Sequence, residues 1–159
     1  MYKRIKYLAA IAIVIAGLAS PLLVAAQTPQ KNLPRLADIM SAIQFRHLKL
    51  WTAGQQQNWE LAGYELELVK TGLTEAITFY TDIPVTNVTM IDAPLKSIDS
   101  AIAARSSAGF ARAFNQLTAG CNACHQSVGR GYIAITAPAT SPFSNQSFSP
   151  HQARDKLRR

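Results

Sequence analysis

The stretch Cys121-Asn122-Ala123-Cys124-His125 constrains what this chain can fold into and bind more than any other feature of its sequence. Two cysteines three positions apart, followed at once by a histidine, form the pattern by which a c-type haem is attached to a polypeptide. On one helical turn, Cys121 and Cys124 can each form a thioether to the same macrocycle, while His125 ligates the iron from the proximal side. The motif therefore predicts one covalently bound haem c and its iron, held by Cys121, Cys124 and His125.

Two cysteines at this spacing can also form a redox-active pair or bind zinc. A disulfide or a thioredoxin-like redox pair needs no haem, but that motif belongs near a βαβ pattern and opens a helix, whereas nothing strand-like precedes Cys121. A structural zinc site takes four ligands, and the other histidines of the chain, His47 and His151, lie far away in sequence. The spacing favours haem over both alternatives.

The amino-terminal residues have the pattern of a secretory signal peptide. Residues 2–6 carry positive charge, residues 8–18 are apolar, and Val24-Ala25-Ala26 forms a small-residue cleavage site before Gln27. The alternative is an uncleaved membrane anchor, which the short and interrupted apolar run disfavours. We therefore expect a signal peptide over residues 1–26, export, and no stable membrane anchor after cleavage.

Cleavage would leave 133 residues, enough for one domain with a hydrophobic core. It would remove three of the 16 basic residues, so that 13 face nine acidic ones and the net charge of the mature chain is +4. A modest positive charge suits an acidic redox partner or solubility alone. No basic stripe interleaved with aromatic residues is present, so we expect no nucleic-acid binding.

Helical periodicity begins soon after the predicted cleavage site. Apolar residues at steps of three and four predict a first helix over residues 35–53, and Asn58 is placed to cap a second helix. The charged residues of this second helix, Glu65 among them, are expected mostly on the face opposite its apolar stripe. The short link between the two helices predicts that they pack as antiparallel neighbours.

Two further helices are predicted in the second half of the chain. Asp92 is a suitable N-cap for the third, and the pair Ser106-Ser107 offers an N-cap for the fourth, which should end near Val128. Residues 81–93 are expected to form a crossover loop, with at most a strand-like fragment. The predicted fold class is all-α, an antiparallel four-helix bundle over residues 27–136, followed by an irregular C-terminal extension over residues 137–159 that is partly or wholly flexible.

A haem motif close to the end of the last of four helices resembles the cytochrome c′ class, over about residues 34–130. The segments 44–51 and 58–62 are also similar to a group of small exported haem-binding proteins. The chain departs from the c′ pattern after the histidine, where Val128-Gly129-Arg130 replaces an aromatic followed by a basic residue. The resemblance implies haem attachment beyond the inner membrane, hence a periplasmic protein, and a homodimer formed through the first two helices.

The identity of the sixth iron ligand separates the functions open to such a protein. In the c′ class the first helix covers the face of the haem opposite the proximal histidine, and low-spin members take a methionine from it. This resemblance and an apolar setting point to Met40, with His47, two turns later on the same face, as the alternative. Met90 and His151 are the remaining candidates. Core filling is the competing role for Met40, and a hydrogen-bonded buried state is the competing role for His47.

Two arginines are candidates for the haem propionates. Guanidinium groups match the geometry of carboxylates, so Arg46 and Arg112 could form such pairs, and solvated side chains are the alternative. The function predicted from these residues is that of a single-electron carrier with His/Met ligation and a redox partner of unknown identity. The alternative is a five-coordinate haem protein that binds nitric oxide or carbon monoxide, as a sensor or scavenger. An enzyme is not expected, because His47 is the only candidate for a polar distal base.

Overall fold

The computed structural model describes residues 33–84, 86 and 89–150. Within these residues the chain contains no strand and forms helices α1 (Leu36–Gln55), α2 (Trp59–Phe79), α3 (Asp92–Ala103) and α4 (Ser107–Ser127). The predicted signal peptide and His151 lie outside the described residues. None of the described helices is both long enough and apolar enough to cross a membrane.

The helices alternate in direction, as the pairs of residues that meet across them show. On α1, Trp51 packs on Phe110 and Phe114, whereas His47, one turn earlier, contacts Phe114 and Thr118. Earlier residues of α1 thus meet later residues of α4, so these two helices are antiparallel. The three-residue connection between α1 and α2 likewise makes them antiparallel neighbours. The all-α four-helix bundle is therefore confirmed.

Two of the predicted helix caps are present, and a third is displaced. The Asn58 side chain accepts from the Leu61 N–H at 3.1 Å, and the Ser106 hydroxyl accepts from the Gly109 N–H at 3.1 Å. Asp92 is not an N-cap, because Ile91 occupies that position and Asp92 is the first residue of α3. An acidic side chain in the first turn still complements the positive end of the helix dipole.

Large apolar side chains from all four helices fill the centre of the bundle. The largest fully buried hydrophobic side chains are Phe110, Phe114, Leu50, Leu66, Ile98, Leu117 and Val69. Each contributes roughly 1.5–3 kcal/mol by its removal from water. Gly54 lets α1 approach the Phe110 ring, since an added methyl group there would overlap the ring. The packing of Phe110 and Phe114 against α1 therefore holds α1 and α4 at a fixed register.

The chain beyond α4 runs back along the bundle as far as Pro150 without forming a helix or strand in its described residues. From here on, "the extension" means residues 128–150, which begin earlier than the C-terminal extension predicted from the sequence at residues 137–159. The indole N–H of Trp51 donates to the Pro138 carbonyl at 3.0 Å, and the Phe143 ring meets the Phe45 ring edge-on at 5.6 Å. Phe148 is buried against the core. The domain boundary at residue 137 and the flexibility beyond it stay predictions.

Candidate haem-attachment site

The motif Cys121–His125 occupies the last two turns of α4. Successive residues of a helix are about 100° apart around its axis, so Cys121, Cys124 and His125 fall within an arc of about 100°. Both cysteines are free of disulfide bonds and half-buried, and Cys121 packs against the hydrophobic core. The helix therefore presents two thiols and an imidazole on one face.

The protonation state of the two thiols helps to distinguish haem attachment from a thioredoxin-like redox pair. Burial raises the pKa of Cys121 to about 11, with a further contribution from the neighbouring Cys124, and burial also raises the pKa of Cys124. Both thiols are therefore protonated at neutral pH. A thioredoxin-type nucleophile has a lowered pKa, which the positive end of a helix favours. The cysteines here lie near the opposite end of α4, which disfavours the redox-pair interpretation.

The His125 ring is held by the extension. Its Nδ1 atom lies 2.8 Å from the carbonyl oxygen of Ile133. A carbonyl only accepts, so Nδ1 carries a hydrogen and, in the neutral ring, Nε2 keeps its lone pair. Metal-binding histidines in proteins generally donate their second ring N–H to a carbonyl or carboxylate in this way. The tautomer of His125 is thus the one that an iron ligand requires.

Asn122, between the two cysteines, makes a contact that the sequence pattern did not predict. Its side-chain amide donates to the Ile135 carbonyl at 2.9 Å and accepts from the Ile135 N–H at 2.7 Å. The only signal in the sequence was a side chain with both donor and acceptor groups inside the motif, followed by the apolar run that contains Ile133 and Ile135. The extension is thereby tied to the helix that carries the motif.

His47 of α1 lies in the interior of the bundle. It contacts α4 at Thr118, about one turn before the motif begins. It is 4% exposed, its Nε2 lies 2.9 Å from the Thr118 hydroxyl, and its ring lies against Phe114 with 4.3 Å between centroids. The Thr118 hydroxyl donates its single hydrogen to the Phe114 carbonyl at 2.9 Å, so it accepts from His47. Burial lowers the pKa of His47 to about 4. His47 is therefore neutral, with Nε2–H directed at Thr118.

Met40 is half-buried and packs against the hydrophobic core at one end of α1. The position of Met40 along the bundle axis can be derived from the contact between His47 and Thr118. Met40 precedes His47 by seven residues and His125 follows Thr118 by seven residues, on antiparallel helices. Equal displacements along the two helices place Met40 and His125 at the same level along the bundle. Met90, another predicted candidate, is 45% exposed.

Neither arginine predicted to meet a propionate contacts the motif. Arg46 Nη1 lies 3.3 Å from an oxygen of Glu65, whose side chain is 1% exposed. The expectation that Glu65 lies on the solvated face of α2 was wrong. Its carboxylate is buried between α1 and α2, where Arg46 of α1 pairs with it. Moving Arg46 to a propionate would leave the buried Glu65 carboxylate without its partner, which favours Arg46 staying on Glu65. Arg112 is exposed, on a polar groove between α3 and α4.

The donors on α4 fit a covalently attached haem. Two protonated thiols and an imidazole with a free Nε2 lone pair share one face, and the core packs beside Cys121. Across residues 33–84, 86 and 89–150, no three His, Cys, Asp or Glu side chains converge where a metal ion could bind. A haem iron takes only its axial ligands from the protein, so His125 and at most one further side chain would suffice.

Comparison of the chain with protein-family models, with curated proteins and with solved structures gives no match. The function proposed for this chain therefore rests on its residues and their geometry.

Proposed function

We propose that this chain is an exported c-type cytochrome that carries one covalently bound haem and transfers single electrons. The observation that carries the proposal is the hydrogen bond from His125 Nδ1 to the Ile133 carbonyl, because it leaves Nε2 available to iron beside the two free thiols. Haem iron, when bound, supplies the one-electron chemistry. The protein has no catalytic residue in this proposal, and it is not an enzyme.

The two cysteines hold the cofactor by covalent bonds. Each thiol would form a thioether by adding across one vinyl group, its sulfur bonding to one vinyl carbon and its hydrogen passing to the other. Nothing is oxidised or released in this addition, and the mass of the product is the sum of the masses of protein and haem. His125 would hold the haem iron through Nε2, with its ring held by the Ile133 carbonyl.

Met40 is the sixth ligand in this proposal. It lies level with His125, and its half-buried position against the core offers a thioether in apolar surroundings. A thioether ligand raises the reduction potential of haem iron. His47 stays the alternative, but its Nε2–H is already directed at Thr118, so ligation by Nε2 would break that bond.

The distribution of charge supports an acidic redox partner. Residues 100–154 contain neither aspartate nor glutamate, and they include Arg105, Arg112 and Arg130. The helix that bears the motif and the extension therefore carry only positive charges, which would favour an acidic partner. A periplasmic location after signal cleavage is part of the proposal, and a homodimer stays an implication of the resemblance.

The proposal predicts a specific mass and spectrum for the exported protein. Intact-mass measurement should show the mature chain plus one haem. The reduced protein should have sharp low-spin absorption bands that carbon monoxide leaves unchanged, because Met40 occupies the sixth position. A colourless, folded protein of unmodified mass would contradict the haem. A high-spin spectrum that shifts when carbon monoxide is added would reject the carrier and support the gas-binding alternative.

Substitution of Met40 tests the sixth ligand separately. Met40→Ala should abolish the charge-transfer band between thioether sulfur and ferric iron, and it should lower the reduction potential. His47→Gln is the matched control, since glutamine can still donate to Thr118 but offers no imidazole to iron. The control should keep the band. A low-spin wild type that lacks this band, and that becomes high-spin in His47→Gln but not in Met40→Ala, would move the ligand to His47.

A further inference from the structure

The side chain of Asn122 holds the backbone of the extension at a single residue. Its amide group donates to the Ile135 carbonyl at 2.9 Å and accepts from the Ile135 N–H at 2.7 Å. Two bonds exchanged with one residue are what a neighbouring antiparallel strand supplies at a hydrogen-bonded pair. The Ile135 side chain is also buried, at 9% exposed. Both the position and the direction of the backbone at Ile135 are therefore fixed by α4.

The carbonyl that contacts His125 belongs to Ile133, two residues before Ile135. Packing does not hold Ile133, because its side chain is 42% exposed. Its N–H donates to the Arg130 carbonyl at 2.8 Å, within the turn that follows α4. The Ile133 carbonyl is thus placed by that turn on one side and by the bonds between Asn122 and Ile135 on the other.

We propose that Asn122 is a positioning residue for the iron ligand. Its two hydrogen bonds to Ile135 keep the Ile133 carbonyl within hydrogen-bond distance of His125 Nδ1. This inference rests on the proposed function, since the orientation of the His125 ring matters only to an iron-bound imidazole. When Nδ1–H is hydrogen-bonded, the imidazole ring cannot rotate freely about the bond that joins it to Cβ. The hydrogen bond also directs Nε2 away from the extension and makes the imidazole a more basic ligand. Asn122 touches neither iron nor haem in this role.

The test measures exchange of the His125 Nδ1 hydrogen with water, by isotope-edited NMR of the reduced haem protein. In the wild type this hydrogen should be protected by its bond to Ile133. Asn122→Ala should speed its exchange by at least about tenfold, as expected when two hydrogen bonds of ordinary net strength no longer hold the acceptor. Asn122→Asp keeps the acceptor for the Ile135 N–H but loses the donor, so its exchange rate should fall between those of the wild type and Asn122→Ala.

Trp51→Phe is the matched control. It removes the indole donor to the Pro138 carbonyl and so loosens the extension at another point, while an aromatic ring still packs on Phe114. Exchange at His125 should stay within about twofold of the wild type in this variant, since the bonds that place Ile133 are intact. Intact mass should show one haem in every variant.

Two results would overturn the role of Asn122. One is unchanged exchange in a haem-bearing Asn122→Ala protein, and the other is an equally large effect of Trp51→Phe, which would assign the positioning to the extension as a whole. Failure of the proposed function would be visible separately, as a wild-type protein without covalent haem. That finding would overturn both proposals together.

Discussion

Replacement of both Cys121 and Cys124 by alanine should abolish covalent haem attachment. After treatment with acid and organic solvent, the wild-type protein should keep its haem, whereas the double variant should lose all of it to the organic phase. The reason is that a thioether survives these conditions, while an iron–imidazole bond from His125 does not survive protonation of the ligand. The measurement is the absorbance of each phase after extraction, with the intact mass of the polypeptide. Each single variant should retain haem through its one remaining thioether.

Loss of the fold is not the expected cause of this effect. Both cysteines are half-buried, and removing a thiol at the edge of the core leaves the central side chains in place. Ala123→Ser is the matched control, because Ala123 lies between the cysteines and is exposed. That variant should bind haem covalently like the wild type. Haem that stays with the polypeptide in the double cysteine variant would show that another residue forms the covalent bond.

The features that could be predicted from the sequence are those governed by local patterns. Apolar periodicity located α1 to α4, and the caps at Asn58 and Ser106 were predicted because a side chain bonds a backbone group only three residues away. The error at Asp92 has the same origin. A proline two positions later fits a helix's first turn whether Asp92 or Ile91 is the cap, and propensity alone does not separate such neighbours.

The contacts that complete the candidate site could not be predicted in this way. The acceptors for His125 and Trp51 are the backbone carbonyls of Ile133 and Pro138, and every residue has such a group. Their positions depend on the path of an irregular segment, which no periodicity describes. The pair of Arg46 and Glu65 was missed for a related reason, since a glutamate on the buried face of a helix is recognised only once its partner helix is in place.

Acidification should destabilise the folded protein through His47. Burial lowers the pKa of this histidine from 6.5 to about 4. Between those pH values the unfolded chain binds a proton that the folded protein does not, so the unfolded state is favoured as the pH falls. The free energy of unfolding should therefore decrease by about 3 kcal/mol as the pH falls from above 6.5 to 4, and this contribution should change no further below that range.

Urea unfolding of the haem-loaded protein across this pH range measures the effect, and comparison with His47→Gln isolates it. Glutamine keeps a donor for Thr118 but does not titrate, so the variant should lose less stability on acidification than the wild type does. Carboxylates that titrate in the same range contribute equally to both proteins and cancel in the difference. Equal pH dependence in the two proteins would mean that His47 is not a neutral, buried donor. Since an iron-bound histidine would also resist protonation, the charge-transfer band of Met40 must be present in both proteins for the difference to report burial alone.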